Sequence, residues 1–162
     1  MLFRSLTDLE PYRGLLRHWV PNGKLRAPAR PNPFDGILTF DVGQGERRYL
    51  VEEKRHLRFQ DAGVIADQML RRRAGLPPEH AADGLLLLAP HVRMQHAAVL
   101  ERAGIDYIDL AGNAHLRAPG LLVHVEGRRP AKEPVRTPGR PHKAWIRTVM
   151  ALLIQPELLN AP

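Results

Sequence analysis

The sequence predicts an α/β fold in which helices flank a mixed β-sheet. Apolar spacing alternates along the chain in the order helix, hairpin, helix, strand, helix, strand, strand. A continuous apolar run within 83–90 (DGLLLLAP) is typical of a strand buried on both faces. A strand–helix–strand–helix–strand order implies crossover connections that place helices over both faces of the sheet. The length of 162 residues suits one domain with a short appendage.

The first element is a helix over 7–19. Its apolar side chains recur at helical spacing: Leu9, Tyr12, Leu15, Leu16 and Trp19. Thr7 and Glu10 have the spacing of a capping box, and the Pro-Asn-Gly run at 21–23 ends the helix. Residues 24–34 are basic and interrupted by proline, which predicts a loop or an irregular edge strand.

A β-hairpin follows, formed by extended runs at 35–42 and 47–57 around GQGE. If GQGE is the loop, Val42 pairs with Arg47, Asp35 lies opposite Lys54 and Ile37 lies opposite Glu52. Side chains two apart share a face of a strand, so Asp35, Glu52 and Lys54 then point to the same side.

The middle of the chain continues the alternation. A helix over 59–75 has Ala62, Ile65, Ala66 and Met69 on one face. The buried strand at 83–90 and a helix over 91–104 come next. Two strands, 105–117 and 119–127, complete the sheet, with a turn or bulge at Gly112-Asn113 inside the first.

The composition changes after Gly127. We expect an α/β domain over 1–127, a basic proline-rich linker over 128–143 and a helical segment over 144–162. An isolated apolar helix cannot bury its own face. The last segment is therefore expected to dock on the domain, to dimerise, or to belong to a longer protein.

Composition excludes several classes of function. The chain has no cysteine, which removes disulfides, thiolate nucleophiles and cysteine-based metal sites. The apolar runs, such as Leu85–Ala89, are far shorter than a membrane span, and the N-terminus lacks the uninterrupted apolar stretch of a signal peptide. We expect a cytoplasmic protein with no membrane partner.

Charge is distributed unevenly. Residues 1–127 contain 17 Lys and Arg against 15 Asp and Glu, whereas 128–162 contain 7 against 2. A nearly neutral domain followed by a basic segment indicates either contact with a polyanion or a solubilising linker.

The hairpin carries the residues with the most chemical meaning. Two carboxylates and an ammonium, as in Asp35, Glu52 and Lys54, are the groups that metal-assisted phosphodiester hydrolysis needs. The alternative is that these residues are solvated charges on an edge strand. The histidines, including His91, His96, and the pair His115 and His124 on neighbouring strands, are better explained as surface or hydrogen-bonded groups than as ligands.

Asp35 followed by Glu52-Glu53-Lys54 on a strand–turn–strand unit resembles the PD-(D/E)XK nuclease-like fold. The stretches LLLLAPHV, YIDLAGNAHLRAPGL and AWIRTVMALLIQPELLNAP extend the similarity over most of 35–162. They resemble AbiEi-type antitoxins and related transcriptional regulators. In that family the final helix opens a winged helix-turn-helix domain that continues past this chain's last residue.

The resemblance implies roles for individual residues. Asp35 and Glu52 would be metal ligands for Mg²⁺, and Lys54 the catalytic or phosphate-orienting cation. Glu10 would be a further ligand or only a helix cap, and Gln68 would line the same cleft or be exposed. A polyanion would be held by basic side chains of the linker, with the arginines of the second helix as helpers: Arg128, Arg129, Lys132, Arg136, Arg140, Lys143, Arg71, Arg72 and Arg73.

Three hypotheses follow. The first is a DNA-binding protein with a nuclease-like core, with a cognate toxin or a second copy of the chain as further partners. The second is an active Mg²⁺-dependent endonuclease. The third is an interaction module that dimerises through the C-terminal helix. The cluster Asp106, Asp109 and Asn113 is interpreted as fixing the backbone.

Overall fold

The computed structural model describes residues 9–28, 32–58 and 60–131. It contains three α-helices and seven strands: α1 (Glu10–Trp19), β1 (Lys24–Arg26), β2 (Gly36–Asp41), β3 (Glu46–Glu53), α2 (Asp61–Ala74), β4 (Gly84–Ala89), α3 (Met94–Arg102), β5 (Asp106–Asp109), β6 (Ala114–Ala118) and β7 (Leu121–Val125). A short 3-10 helix at Pro78–His80 precedes β4. The α/β class and the mixed sheet are confirmed.

The strands form one sheet whose spatial order is the order of the sequence, β1 to β7. β4 pairs in parallel with β3 and with β5, and every other neighbouring pair is antiparallel. Five strands (β1, β3, β4, β5 and β7) therefore run in the same direction. Their C-terminal ends, together with the starts of β2 and β6, form one edge of the sheet, which we name the carboxyl edge. The opposite edge, where these five strands begin and β2 and β6 end, is the amino edge.

Helices cover both faces of the sheet, as predicted. On one face, α2 and α3 enclose a core with β-strand side chains such as Leu50, Leu87 and Tyr107. On the other, α1 packs Tyr12 and Leu16 over strand residues that include Val51 and Leu86. Every residue of β4 is buried, as its continuous apolar sequence predicts.

Element boundaries depart modestly from expectation. Helix α1 begins at Glu10, and its N-cap is Leu9 without a side-chain cap bond. The predicted capping residue Thr7 lies outside the described residues. Residues 24–34 were predicted as a loop or an irregular edge strand, and an edge strand of three residues forms there. Helix α3 is shorter than predicted, because 91–93 form an extended entry to it.

The hairpin exists, but its predicted register was wrong by two residues. Asp41 pairs with Glu46 and Ile37 with Leu50, so the connection is Val42–Gly45 rather than GQGE. Gly43 and Gly45 both have positive φ, at 85° and 94°, which glycine adopts readily. An even shift leaves each side chain on its predicted face because the side-chain period is two.

The region 105–117 was predicted as one strand with a turn or a bulge at Gly112-Asn113, and it forms the turn, with one strand on each side. β5 ends at Asp109 and β6 begins at Ala114. Gly112 has φ +89°, and its N–H donates to the Asp109 carbonyl, which closes the turn. The turn therefore joins two antiparallel strands; it is not a β-bulge within a single strand.

Within the described residues, no helix has the length and apolar character needed to cross a bilayer. The predicted C-terminal helix and nearly all of the predicted linker fall outside the described residues.

Candidate nucleic-acid interface

Glu52 is the centre of a buried ion cluster at the end of β3. Only 3% of the residue is exposed. Lys54 Nζ donates to Glu52 Oε1 at 2.5 Å, and Arg72 Nη1 lies 3.0 Å from both Oε1 and Oε2. One negative charge is therefore held between two positive ones. The contact between Glu52 and Lys54 agrees with the face that the sequence predicted for them.

Arg72 is the member of this cluster that sequence reasoning missed. The sequence groups it with Arg71 and Arg73 as helpers in holding a polyanion. The helical spacing does indicate its position. Arg72 follows the buried residues Ile65 and Met69 in the pattern i, i+4 and i+7. Arg72 therefore lies on the packed stripe of α2, and its guanidinium reaches Glu52.

Lys54 and Asp35 are fixed by backbone hydrogen bonds. The Lys54 N–H donates to the Leu88 carbonyl at 2.8 Å, which ties the residue to β4. The Asp35 N–H donates to the Val51 carbonyl, and Asp35 Oδ2 accepts the Glu53 N–H at 2.8 Å. The hairpin therefore brings Asp35 to the end of β3, where its carboxylate is engaged by backbone one residue from Glu52.

The arrangement does not fit a Mg²⁺ ion. Magnesium requires oxygen ligands at about 2.0–2.1 Å in octahedral geometry. Both carboxylate oxygens of Glu52 are already contacted by cationic side chains, and Asp35 Oδ2 is already hydrogen-bonded. A metal at this position would have to displace Arg72. These carboxylate oxygens belong to a cluster of ion pairs and hydrogen bonds, so we derive no catalytic step through a metal.

Two further residues suggested for this site lie apart from it. Glu10 is paired with Arg13 at 2.6 Å on α1, which packs on the face of the sheet opposite to Glu52. Gln68 is an exposed residue of α2. The structure does not bring either of them to Glu52.

A second set of polar residues stands at the carboxyl edge, beyond β4 and β5. Asp109 is fully buried and accepts the N–H groups of Val92 and Asn113 at 2.8 Å each, as well as Asn113 Nδ2 at 2.7 Å. His91 Nδ1 lies 3.2 Å from Asp109 Oδ2. The interpretation that Asp109 and Asn113 fix the backbone agrees with these bonds, and they also orient the His91 ring.

Asn113 connects this set to the start of the basic segment. The Arg128 N–H donates to Asn113 Oδ1 at 2.7 Å, and Asn113 Nδ2 donates to the Arg128 carbonyl at 2.9 Å. The Arg128 side chain lies over Gly112, where an added Cβ would approach Nη1 to 2.7 Å. The chain therefore leaves β7 along the carboxyl edge, in a position fixed by side-chain hydrogen bonds.

The exposed charge of this edge is mostly basic. Of its acidic residues, Glu52, Glu53 and Asp109 are buried, Asp35 and Asp61 are half-buried, and Glu126, directly after β7, is exposed. Exposed arginines stand at or after the ends of the strands: Arg26 at the end of β1, Arg55 and Arg58 after β3, Arg93 after β4, and Arg128 and Arg129 after β7. The amino edge is mixed. It carries exposed acids on either side of the β2–β3 connection and before β4, namely Asp41, Glu46, Glu79 and Asp83, together with exposed Lys24, Arg102 and Arg117.

The other basic residues named from the sequence have different environments. Arg71 is exposed, and its guanidinium lies 3.8 Å from the Asp67 carboxylate in the preceding turn of α2. Arg73 Nη2 donates to the Ala82 carbonyl at 2.9 Å. Lys132, Arg136, Arg140 and Lys143 lie outside the described residues.

A separate group of titratable side chains occupies β5 to β7. His115 and His124 are paired in register, as the sequence suggested, and their ring centres are 5.5 Å apart. Burial raises the pKa of Asp106, while the Arg117 N–H and His115 partly offset that effect. Glu101, His124 and Glu126 bring one donor atom each within 4.8 Å of one another, at half-buried and exposed positions. These groups satisfy one another through ion pairs and hydrogen bonds.

Comparison with known proteins yields no relative. No protein-family model matches the chain, no curated protein matches its sequence, and no solved structure matches its fold. The function is therefore argued from the geometry above.

Proposed function

We propose that this protein binds DNA along the carboxyl edge of its sheet and does not cleave it. The observation that carries the proposal is the segregation of charge at that edge. The arginines there are exposed, whereas Glu52, Glu53 and Asp109 are buried. A polyanion approaching this edge meets cations first, and the acids beneath are already compensated by hydrogen bonds and ion pairs.

The dimensions of the edge suit a duplex. Neighbouring strands lie about 4.8 Å apart, so the seven strands span about 30 Å. One turn of B-DNA is about 34 Å long. Arginines that follow β1, β3, β4 and β7 are thus distributed over about one turn, which suits contacts to successive phosphates rather than to one small anion.

The exposed acids of the amino edge support a single orientation. Exposed Asp41, Glu46, Glu79 and Asp83 would repel the same polymer. The basic segment that begins at Arg128 also departs from the carboxyl edge, because Asn113 holds its backbone there. Arg128 and Arg129 therefore belong to the same basic surface as the other arginines of the carboxyl edge.

The test compares two variants that each remove two positive charges. Arg58→Gln/Arg93→Gln changes the carboxyl edge, and Arg102→Gln/Arg117→Gln changes exposed arginines near the amino edge. Affinity for a fluorescent DNA duplex is measured by anisotropy over a range of salt concentrations. We expect the first variant to bind about tenfold more weakly, with a salt dependence reduced by roughly two counterions, and the second to behave like wild type. Equal behaviour of the two variants, or no binding by wild type at low salt, would overturn the proposal.

Endonuclease activity is the second candidate, favoured by the contact of Lys54 with Glu52 and by Asp35 at the end of the same hairpin. It is tested on supercoiled plasmid with Mg²⁺ or Mn²⁺. Cleavage by wild type that is lost in Lys54→Ala would establish it and would contradict the statement that DNA is bound intact.

A further inference from the structure

Arg72 is the residue that engages both oxygens of the Glu52 carboxylate. Its Nη1 contacts both oxygens of the carboxylate at 3.0 Å, and Lys54 Nζ contacts one of them. The pair of cations exceeds the charge of Glu52 by one, and the other nearby carboxylate, that of Asp35, accepts the Glu53 N–H. Both oxygens of Glu52 are occupied by cationic groups, which favours an anion over a further cation as the ligand of this cluster.

The two cations retain donors for a ligand. Arg72 uses only Nη1 toward Glu52, which leaves the Nε and Nη2 donors of a guanidinium whose side chain is 38% exposed. Lys54 uses one of three N–H donors, and its side chain is 20% exposed. A guanidinium beside an ammonium matches the donors that bind phosphate in proteins.

Glu52 gives these donors a fixed position. Long cationic side chains lose conformational entropy when a ligand orders them. Here the buried carboxylate orders both before any ligand arrives, and the Lys54 backbone is itself tied to β4.

We infer that Lys54 and Arg72 form a metal-independent phosphate-binding site, in which Glu52 positions the two cations instead of ligating Mg²⁺. The inference rests on the proposed function, because the phosphate is one of the DNA backbone. It goes beyond that proposal because it gives the site at Glu52 a specific role, which is to bind a phosphate without a divalent ion. Arg72 then holds the charge that a metal supplies in a cleaving enzyme.

The experiment measures DNA affinity of the full chain in EDTA and in Mg²⁺ at matched ionic strength. Wild type is expected to bind equally in both. Arg72→Gln is expected to bind about tenfold more weakly in both, whereas Arg72→Lys retains most of the affinity. Arg71→Gln is the matched control, since Arg71 belongs to the same helix turn and is exposed. Circular dichroism melting verifies that each variant is folded.

A second probe separates this inference from the proposed function. Pyrophosphate is titrated while the thermal midpoint is followed, with stabilisation expected for wild type and lost in Arg72→Gln. If DNA does not bind but pyrophosphate stabilises wild type through Arg72, the proposed function fails and the phosphate site stands. If DNA binds and Arg72→Gln has the same DNA affinity as Arg71→Gln, the phosphate site is disproved, whereas DNA binding along the carboxyl edge is retained. Mg²⁺-dependent tightening that is lost in Glu52→Gln would also overturn the inference, because it would make Glu52 a metal ligand.

Discussion

Asp109 shows how one side chain fixes several segments. Its carboxylate is fully buried and receives three N–H hydrogen bonds, from Val92 and from the backbone and side chain of Asn113. Asn113 in turn holds Arg128. The entry to α3, the β5–β6 turn and the departure from β7 therefore depend on the same group.

We predict that Asp109→Ala destabilises the fold by about 3 kcal/mol, because buried donors lose their acceptor and each costs about 1–3 kcal/mol. Chemical denaturation monitored by circular dichroism measures the change. Asp41→Ala is the matched control: this exposed aspartate accepts a single N–H, from Gly43, so its loss is expected to cost less than about 1 kcal/mol. Equal losses for the two variants would contradict the role given to Asp109.

At the residue scale, sequence reasoning recovered the side chains whose relation is local. Glu52 and Lys54 share a face because they are two apart along one extended segment, the end of β3 and the residue that follows it, and this relation does not depend on the hairpin register. The partner from another element, Arg72, was missed. Tertiary packing decides which of three consecutive arginines turns inward, and only the i, i+4, i+7 relation to Ile65 and Met69 indicates it.

At the scale of elements, the pairing of β3 with β4 includes a close contact between an aromatic ring and a glycine. Tyr49 is aligned with Gly84, and a Cβ on Gly84 would lie 2.3 Å from the Tyr49 ring. The ring cannot swing away easily, because its hydroxyl donates to the Arg117 carbonyl on β6 at 2.9 Å. The glycine thus permits a bond that links β3 to a strand three positions away in the sheet.

Gly84→Ala is accordingly expected to lower the free energy of unfolding by about 2–3 kcal/mol through overpacking. Gly14→Ala provides the contrast. Gly14 lies inside α1 with nothing within 4 Å of its added Cβ, so alanine is expected to stabilise by about 0.5–1 kcal/mol through helix propensity. Thermal melts of both variants suffice, and a neutral Gly84→Ala would contradict the close packing.

The same scale explains which elements were predictable. β4 and the hairpin strands were evident from their own patterns. The exact register was not, because it depends on which four residues form the connection, and GQGE and VGQG are both rich in glycine. Gly112-Asn113 indicated the position of the break between β5 and β6, but a turn and a bulge both stayed open because β-forming residues flank the pair. The Asp109–Asn113 hydrogen bonds hold the turn.

At the scale of the whole molecule, all three tyrosines are buried, and they are divided between the two cores. Tyr12 and Tyr49 belong to the core under α1, and Tyr107 to the core under α2 and α3. Burial is the main cause that raises the pKa of each above the ordinary 10.0, and nearby carboxylates such as Glu53, Asp106 and Glu101 add to it. Ionisation of any tyrosine is therefore coupled to unfolding.

The sign of the pH effect follows from this coupling. The folded state keeps the phenol protons to a higher pH than the unfolded state, so the stability contribution is complete below pH 10 and is lost as the pH rises above it. Each tyrosine contributes up to about 1.4 kcal/mol per pH unit, and three give roughly 4. We expect tyrosinate absorbance to appear in one cooperative step that coincides with loss of far-ultraviolet circular dichroism. Tyr12→Phe should reduce the slope by about a third. Gradual ionisation at the ordinary pKa in a protein that stays folded would contradict the burial of the tyrosines in the two cores.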